Sequence, residues 1–295
     1  MSDYILSCCS TVDLTNAQME ARQIHYASFH YELGDKSYLD DMGKSISMAD
    51  FYQQMVDGAM TRTSQLNQSE YYEYFEPFLK AGKDVLHLTL SSGISGTFNS
   101  ARLAAEELRE AYPERKIIVL DSLAASSGYG LLMDKLADLR DEGKSIEEVA
   151  AYAEAHKLEL VHWFFSSDLT FYIRGGRVSK ASGFIGQVLN ICPLLNVSYK
   201  GELIVREKIR TKRKVIRTIA NKMIEQAEKG ADYDGKCYMS CSACHEDARA
   251  VAAIVEKAFP KLNGKVEIFD IGPTIGAHTG PGTVALIFWG KKRTD

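Results

Sequence analysis

Cysteine is scarce in this chain. Six cysteines in 295 residues are too few for the disulfide framework of a small secreted domain. Long apolar runs are missing, and no stretch approaches the ~20 residues that span a bilayer. Neither sign of charge dominates: 35 basic and 39 acidic side chains leave a net charge of −4, which gives no chain-wide reason to expect nucleic acid as a partner. The opening Met1-Ser2-Asp3-Tyr4-Ile5-Leu6-Ser7-Cys8-Cys9 has no basic stretch and carries Asp3, so no signal peptide is expected. Internal repeats and low-complexity segments are absent too. What remains is an ordinary globular mixture, 45% hydrophobic and 25% charged. The length suggests two domains. Together these features predict a reduced, cytoplasmic protein.

The first half alternates strand-like and helix-like segments. Tyr4–Cys8, Val85–Leu90 and Lys116–Leu120 read as buried strands. Ser47 is placed to cap a helix over 48–57 that Gly58 stops. Phe98–Ala111 has Ala101, Ala104, Ala105 and Leu108 on one face. Ser127–Glu142 is a helix ended by Gly143, and Ser145-Ile146-Glu147-Glu148 is a capping box opening the next. Such β-α-β-α order predicts an α/β domain with a parallel sheet, residues 1–160. The second half, 161–295, reads as mixed α+β. It contains a strand over 160–165, a short helix over 168–173, and a hairpin of 194–199 and 202–209 turned by Lys200-Gly201. A helix follows from Thr211 to about Lys229, then a strand over 237–241, a helix over 246–259 and final strands at 266–269 and 283–289.

Four polar segments are candidates for a site. Ser91-Ser92-Gly93-Ile94-Ser95-Gly96-Thr97 follows a strand and opens a helix, where unpaired N–H groups suit an anion. It has no lysine, so it is not a Walker A phosphate loop. Ile271–Gly282 holds four glycines, two prolines, His278 and Thr279, and is expected to be an irregular loop that fixes a side chain. Thr61-Arg62-Thr63-Ser64-Gln65 is polar and follows a helix end. Asp121-Ser122 lies at the carboxyl end of a strand, where open α/β sheets place ligands.

In this order the motifs resemble the DegV family, whose members include the fatty-acid-binding subunit of bacterial fatty acid kinase. Ser10-Thr11-Val12-Asp13-Leu14, Thr63-Ser64-Gln65, Ser91–Thr97 with Asn99-Ser100-Ala101-Arg102, Asp121-Ser122, Arg174-Gly175-Gly176-Arg177 and Ile271–Gly282 follow the family's pattern across the chain. Cys9, Thr15 and Leu66 depart from it, standing where the family usually has Asp, Pro and Pro. The resemblance implies a two-domain DegV-like fold with a lipid tunnel between the domains and no cofactor. It implies that Thr63 and Ser95 contact a fatty-acid carboxylate, with Ser92, Gly96, His278 and Thr279 nearby. Charge-assisted hydrogen bonds would hold the head. Roughly fourteen buried methylenes at about 0.8 kcal/mol each would supply on the order of 11 kcal/mol before entropic costs. The implied partner is a separate, ATP-dependent kinase subunit. Seven of the twelve residues 206–217 are basic, and Arg206 and Arg210 are the expected docking residues.

Other groupings are weighed against these. A serine hydrolase acting on acyl esters would use Ser95 as nucleophile, His278 as base and Asp121 as its orienting acid, although Gly93-Ile94-Ser95-Gly96 lacks the spacing of a nucleophile elbow. Cys237, Cys241 and Cys244 have the C-x₃-C-x₂-C spacing of radical SAM enzymes, and His245 follows. Cys237 and Cys241 share one strand face, and no second cysteine pair closes a Cys₄ zinc site. Buried thiols without metal are therefore expected. Tyr71–Phe78 reads as an aromatic helix packed in the core. Arg174-Gly175-Gly176-Arg177 carries two readings, an anion anchor and, favoured, the glycine end of a helix at 173.

Overall fold

The computed structural model describes residues 4–178 and 191–294. Its first half runs β1 (Tyr4–Cys9), α1 (Asn16–Ala21), β2 (Ile24–Ala27), β3 (His30–Leu33), β4 (Lys36–Leu39), α2 (Met48–Val56), β5 (Thr61–Ser64), α3 (Gln68–Lys80), β6 (Asp84–Thr89), α4 (Thr97–Ala111), β7 (Ile117–Asp121), α5 (Ser127–Asp141) and α6 (Ile146–His156). The second runs β8 (Leu160–Ser166), α7 (Thr170–Arg174), β9 (Ile191–Val197), β10 (Leu203–Arg210), α8 (Lys212–Gln226), β11 (Cys237–Cys241), α9 (His245–Ala258), β12 (Glu267–Asp270), α10 (Pro273–Thr279) and β13 (Thr283–Trp289).

The strands form three sheets. The first, β2-β1-β6-β7, is wholly parallel. Its central strands β1 and β6 are buried almost throughout, which is why they read as apolar-rich stretches without strict alternation. The second, β10-β9-β8-β13-β11-β12, is antiparallel apart from the β11–β12 pair. The third, β4-β3-β5, is a small antiparallel sheet. The chain is thus mixed α/β, as its alternating pattern led one to expect.

Helix α5 joins the two large sheets. Tyr129, Leu131, Leu132, Met133, Leu136 and Ala137 are all buried, and an α-helix apolar around its circumference belongs in a core. It shares one hydrophobic cluster with Leu6, Leu86 and Leu88 of the first sheet and with Tyr238 and Ile287 of the second. A polar stitch reinforces this seam. Ser126 Oγ donates to Asp13 and lies 2.8 Å from Ser240 Oγ, while Ser127 Oγ lies 2.6 Å from the same Ser240 hydroxyl.

Local chemistry explains most element ends. The hydroxyls of Ser47, Ser145 and Thr211 accept from the amides of Asp50, Glu148 and Lys214. The departures noted in the sequence are absorbed locally. Thr15 caps α1 through a capping box, while Cys9 and Leu66 are buried in the main core.

Three expectations change. Residues 61–64 are a strand rather than a loop, in a sheet too short and polar to show as apolar alternation. Helix α8 ends at Gln226, because Ala227 turns extended and bridges Gly290. The glycine- and proline-rich segment at 271–282 is not an irregular loop, since Pro273–Thr279 form α10. Pro273 occupies the first turn, where its missing N–H costs nothing. Two buried carboxylates satisfy the amides ahead of it: Asp13 accepts from Gly272 N at 2.9 Å, and Asp40 accepts from Thr274 N at 3.3 Å and Thr274 Oγ1 at 2.6 Å. Gly280, with φ +66°, ends the helix.

Candidate ligand-binding cavity

A cavity of about 350 Å³ opens between the two large sheets, beside the small one. That volume lies within the range of small-molecule sites, roughly 300–1,000 Å³. Phe29, Leu90, Ile94 and Ala125 line it from the first half, and Phe164, Val197, Ala285 and Ile287 from the second. Most of its wall is apolar. Thr63, Gln65, Ser95, Arg177, His278 and Thr279 add polar groups to the lining.

These side chains come from four places in the chain, and most are held by their neighbours. Thr63 sits on β5, which pairs with β3. Its Oγ1 lies 2.7 Å from His278 Nε2 on α10. Ser95 precedes α4. Its hydroxyl donates to Gln65 Oε1 at 2.9 Å and accepts from Thr97 N at 3.2 Å. The turn below it is fixed by Ile94 N and Ser95 N donating to Ser91 O. Gly93 is needed there for close approach, since a Cβ would stand 2.5 Å from Lys200 O in the β9–β10 turn. Arg177 follows α7 and donates to the carbonyls of Ile94 and Gly175.

The electrostatics favour a neutral histidine beside a cation. Burial first, and the nearby Arg177 charge second, lower the His278 pKa to about 4. Among the described residues His278 Nδ1 has no hydrogen-bond partner, and it rests against Gly175, where a Cβ would come within 2.3 Å. Burial also lowers the Arg177 pKa, the direction expected of a cation without a nearby carboxylate. A negatively charged ligand oxygen would supply that partner. His162 also lines the cavity and is buried. Its Nδ1 lies 3.1 Å from Leu160 O, and its Nε2 has no partner.

The structure brings together Thr63, Ser95, His278 and Thr279 but leaves Ser92 and Gly96 off the cavity wall. Both are exposed. Ser92 N donates to Asp121 Oδ1 at 3.1 Å, and Gly96 backs the Gln65 amide, which a Cβ would meet at 3.1 Å. Their geometry is that of loop supports. Gln65 and Arg177 gain a place on the wall. Gln65 belonged to a segment already marked as polar, whereas Arg177 was masked by the helix-ending role of its two glycines. The aromatic segment of α3 turns Tyr71 and Phe75 into the core, as expected.

The hydrolase arrangement does not form. Ser95 donates to Gln65 rather than His278, His278 Nε2 faces Thr63, and its Nδ1 meets no acid. Asp121 instead accepts from the amides of Ser92 and Leu123. A triad requires the acid to orient the imidazole through that second nitrogen.

Comparison with known proteins follows the same lines. The DegV family model, described as uncharacterised proteins of the DegV family, matches residues 9–291. A DegV domain-containing protein of Clostridium perfringens is 32% identical over 293 residues, covering 99% of each chain. A fatty-acid-binding DegV family protein from Thermus thermophilus superposes with a TM-score of 0.86 at 26% identity, over 98% of this chain and 100% of its own. The Streptococcus pneumoniae fatty acid kinase B3 protein, loaded with linoleic acid, shares the fold with a TM-score of 0.83 at 22% identity, over 99% of this chain and 100% of its own. With its motifs in order, its sheets in the shared arrangement and its length matched almost end to end, the chain belongs to the DegV family.

Proposed function

We propose that this protein binds a long-chain fatty acid, tail in the cavity and carboxylate at the Thr63–Ser95–His278 cluster. It then presents that carboxylate to a separate ATP-dependent kinase subunit, which forms the acyl phosphate. The carrying observation is the cavity itself, an apolar wall with hydroxyls and a guanidinium gathered on it. The fatty-acid-binding relative from T. thermophilus supports the ligand class. The kinase step follows the S. pneumoniae protein whose fold this chain shares.

The chemistry suits a carboxylate. Thr63 Oγ1 can accept from His278 Nε2 while donating its own proton to the ligand, because a hydroxyl has one donor and two lone pairs. Ser95 can turn its O–H from Gln65 to the second carboxylate oxygen. Arg177 brings a full positive charge, and Thr279 a further hydroxyl. Ser92 and Gly96 act through the loop they shape. We place this exchange between units 1–160 and 161–295 of a cytoplasmic carrier. Among the described residues, no helix is long and apolar enough to cross a membrane.

Mass spectrometry of the purified protein after solvent extraction tests the ligand. The expected result is a long-chain fatty acid in near-stoichiometric amount. A protein that emerges empty and takes up none in titration removes this reading.

The docking residues lie away from the cavity. Strand β10 is the edge of the second sheet. Arg206 sits at the irregularity between Val205 and Glu207, with Nε donating to Asn196 Oδ1 at 2.8 Å. Arg210 is exposed at the strand's end, as are Arg213, Lys214 and Arg217 along α8. Charge of this kind mainly steers association and is screened by salt. The Arg206→Glu/Arg210→Glu variant is expected to keep fatty-acid affinity but to form acyl phosphate slowly at sub-saturating carrier, with weaker salt dependence than the wild type. Wild-type rates at low salt and low carrier concentration would remove the docking role.

A further inference from the structure

The cysteine cluster looks different in three dimensions from how it reads in sequence. Cys237 points into the core of the second half, with its thiol 3.9 Å from Met223 Sδ. Cys241, four residues on, ends β11 at the sheet's carboxyl edge. There the parallel β11–β12 register sets Cys241 directly beside Asp270. The chain turns back through Ala243, at φ +52°, and His245 becomes the first residue of α9. His245 Nε2 then lies 3.0 Å from Asp270 Oδ1. One ligand atom from each of Cys241, His245 and Asp270 lies within 4.8 Å of the other two. The expectation of metal-free thiols rested on the lack of a second cysteine pair. The fold supplies a histidine and a carboxylate instead, the latter from a strand 29 positions away in sequence.

We propose that Cys241, His245 and Asp270 form a binding site for a zinc-class divalent cation, separate from the lipid cavity. Ligand atoms around tetrahedral zinc stand roughly 3.3–3.7 Å apart, given metal–ligand bonds of about 2.0–2.3 Å. The observed spread closes to that by an adjustment of about 1 Å. Two of the three side chains are free to make it, since His245 is 45% and Asp270 43% exposed. Cys241 is buried and supplies the fixed point. The donor set selects the metal. A thiolate with an imidazole favours zinc over magnesium or calcium, which take oxygen ligands. Cys244 is not the fourth ligand, because its thiol donates to Thr283 O at 3.1 Å. Binding replaces the His245–Asp270 contact with two metal bonds; the Cys241 thiol proton leaves to solvent, and His245 ligates as a neutral imidazole, giving up to solvent any proton beyond that form. Because β12 is the outer strand of its sheet, the ion would tie that edge to the start of α9. None of the three residues lines the lipid cavity.

The test is titration of the reduced full-length protein with Co²⁺, then Zn²⁺. The expected result is one equivalent of Co²⁺ with a thiolate-to-cobalt charge-transfer band, displaced by one equivalent of Zn²⁺, and a rise in melting temperature with either ion. Cys241→Ser should abolish the band. Should that variant fold poorly, the exposed His245→Ala and Asp270→Asn remain informative, each expected to weaken metal binding at least tenfold while melting like the metal-free wild type. Absence of the band in reduced wild-type protein, or wild-type metal affinity in either His245→Ala or Asp270→Asn, overturns the proposal.

Discussion

Thr63→Ala and Ser95→Ala are each expected to weaken fatty-acid binding by roughly ten- to hundredfold, with the fold retained. The magnitude follows from losing one hydrogen bond to a charged group, about 1.5–3 kcal/mol. Thr63 lies on the small third sheet, outside both large cores, and is only half-buried. Its loss also frees His278 Nε2, because Thr63 is that nitrogen's partner. Ser95→Ala removes a further bond, to Thr97 N at the start of α4, so a stability loss of about 1 kcal/mol accompanies the loss of affinity. Calorimetric titration with a long-chain fatty acid reads the first effect, and thermal melting the second. Wild-type affinity in both variants would remove the carboxylate from this end of the cavity.

The second large effect is a loss of stability in mild acid. Burial lowers the pKa of His87 and His162 to about 3 each and that of His278 to about 4. His87 is held 2.9 Å from Ser7 Oγ among Tyr71, Tyr74 and Phe75. In the unfolded chain all three titrate near 6.5. The folded values are depressed because the neutral form is preferred, so the unfolded state binds more protons below pH 6.5. Stability is therefore fully present above about 6.5 and falls as pH drops toward 4. Three histidines at about 1.4 kcal/mol per pH unit each give a slope of about 4 kcal/mol per unit near pH 5. Asp13 and Asp40 act in the opposite sense, since burial raises both carboxyl pKa values. The clean reading is accordingly a difference between proteins. His162→Leu removes one of the three and is expected to flatten the fall in unfolding free energy between pH 7 and 5 by about a third of the histidine contribution. An unchanged pH dependence in that variant would show that His162 is not held neutral.

Residue patterning carried the two large sheets, and long-range contacts carried what it did not. Strands β1 and β6 are apolar because both faces are covered. The Lys200-Gly201 turn announces the β9–β10 hairpin, and serine or threonine marks the starts of α2, α6 and α8. These signals are local, and local signals survive in one dimension. Helix α10 was hidden because its N-terminal amides are satisfied by Asp13 and Asp40, more than 230 residues earlier in the chain, so glycine and proline density alone spoke for a loop. The third sheet was hidden because strands of four residues hold too few apolar positions to show a period. In the site, Thr63, Ser95, His278 and Thr279 were legible through their motifs. Arg177 carried two readings at once, and only the fold shows that ending a helix and lining the cavity are both met. Asp270 offered no local sign, since its proximity to Cys241 is a matter of strand register.

The seam formed by α5 bears on how any ligand comes and goes. The helix contributes to a single core with strands of both large sheets, and its first turn is stitched to Asp13 and Ser240. Opening the two halves like a book would part α5 from Tyr238 and Ile287 of the second sheet, and each large apolar side chain brought into water costs about 1.5–3 kcal/mol. A few such exposures take up a large part of a typical domain's stability of about 5–15 kcal/mol. Separating the halves is therefore a costly way to admit a ligand. The short elements α7, α10 and β5 also line the cavity, through Tyr172, His278 and Thr63, and lie at the margin of the shared core, which α10 meets through the half-buried Ile275. Under the proposed function, substitutions in this flank are expected to change ligand exchange rates more than they change the stability of the shared core.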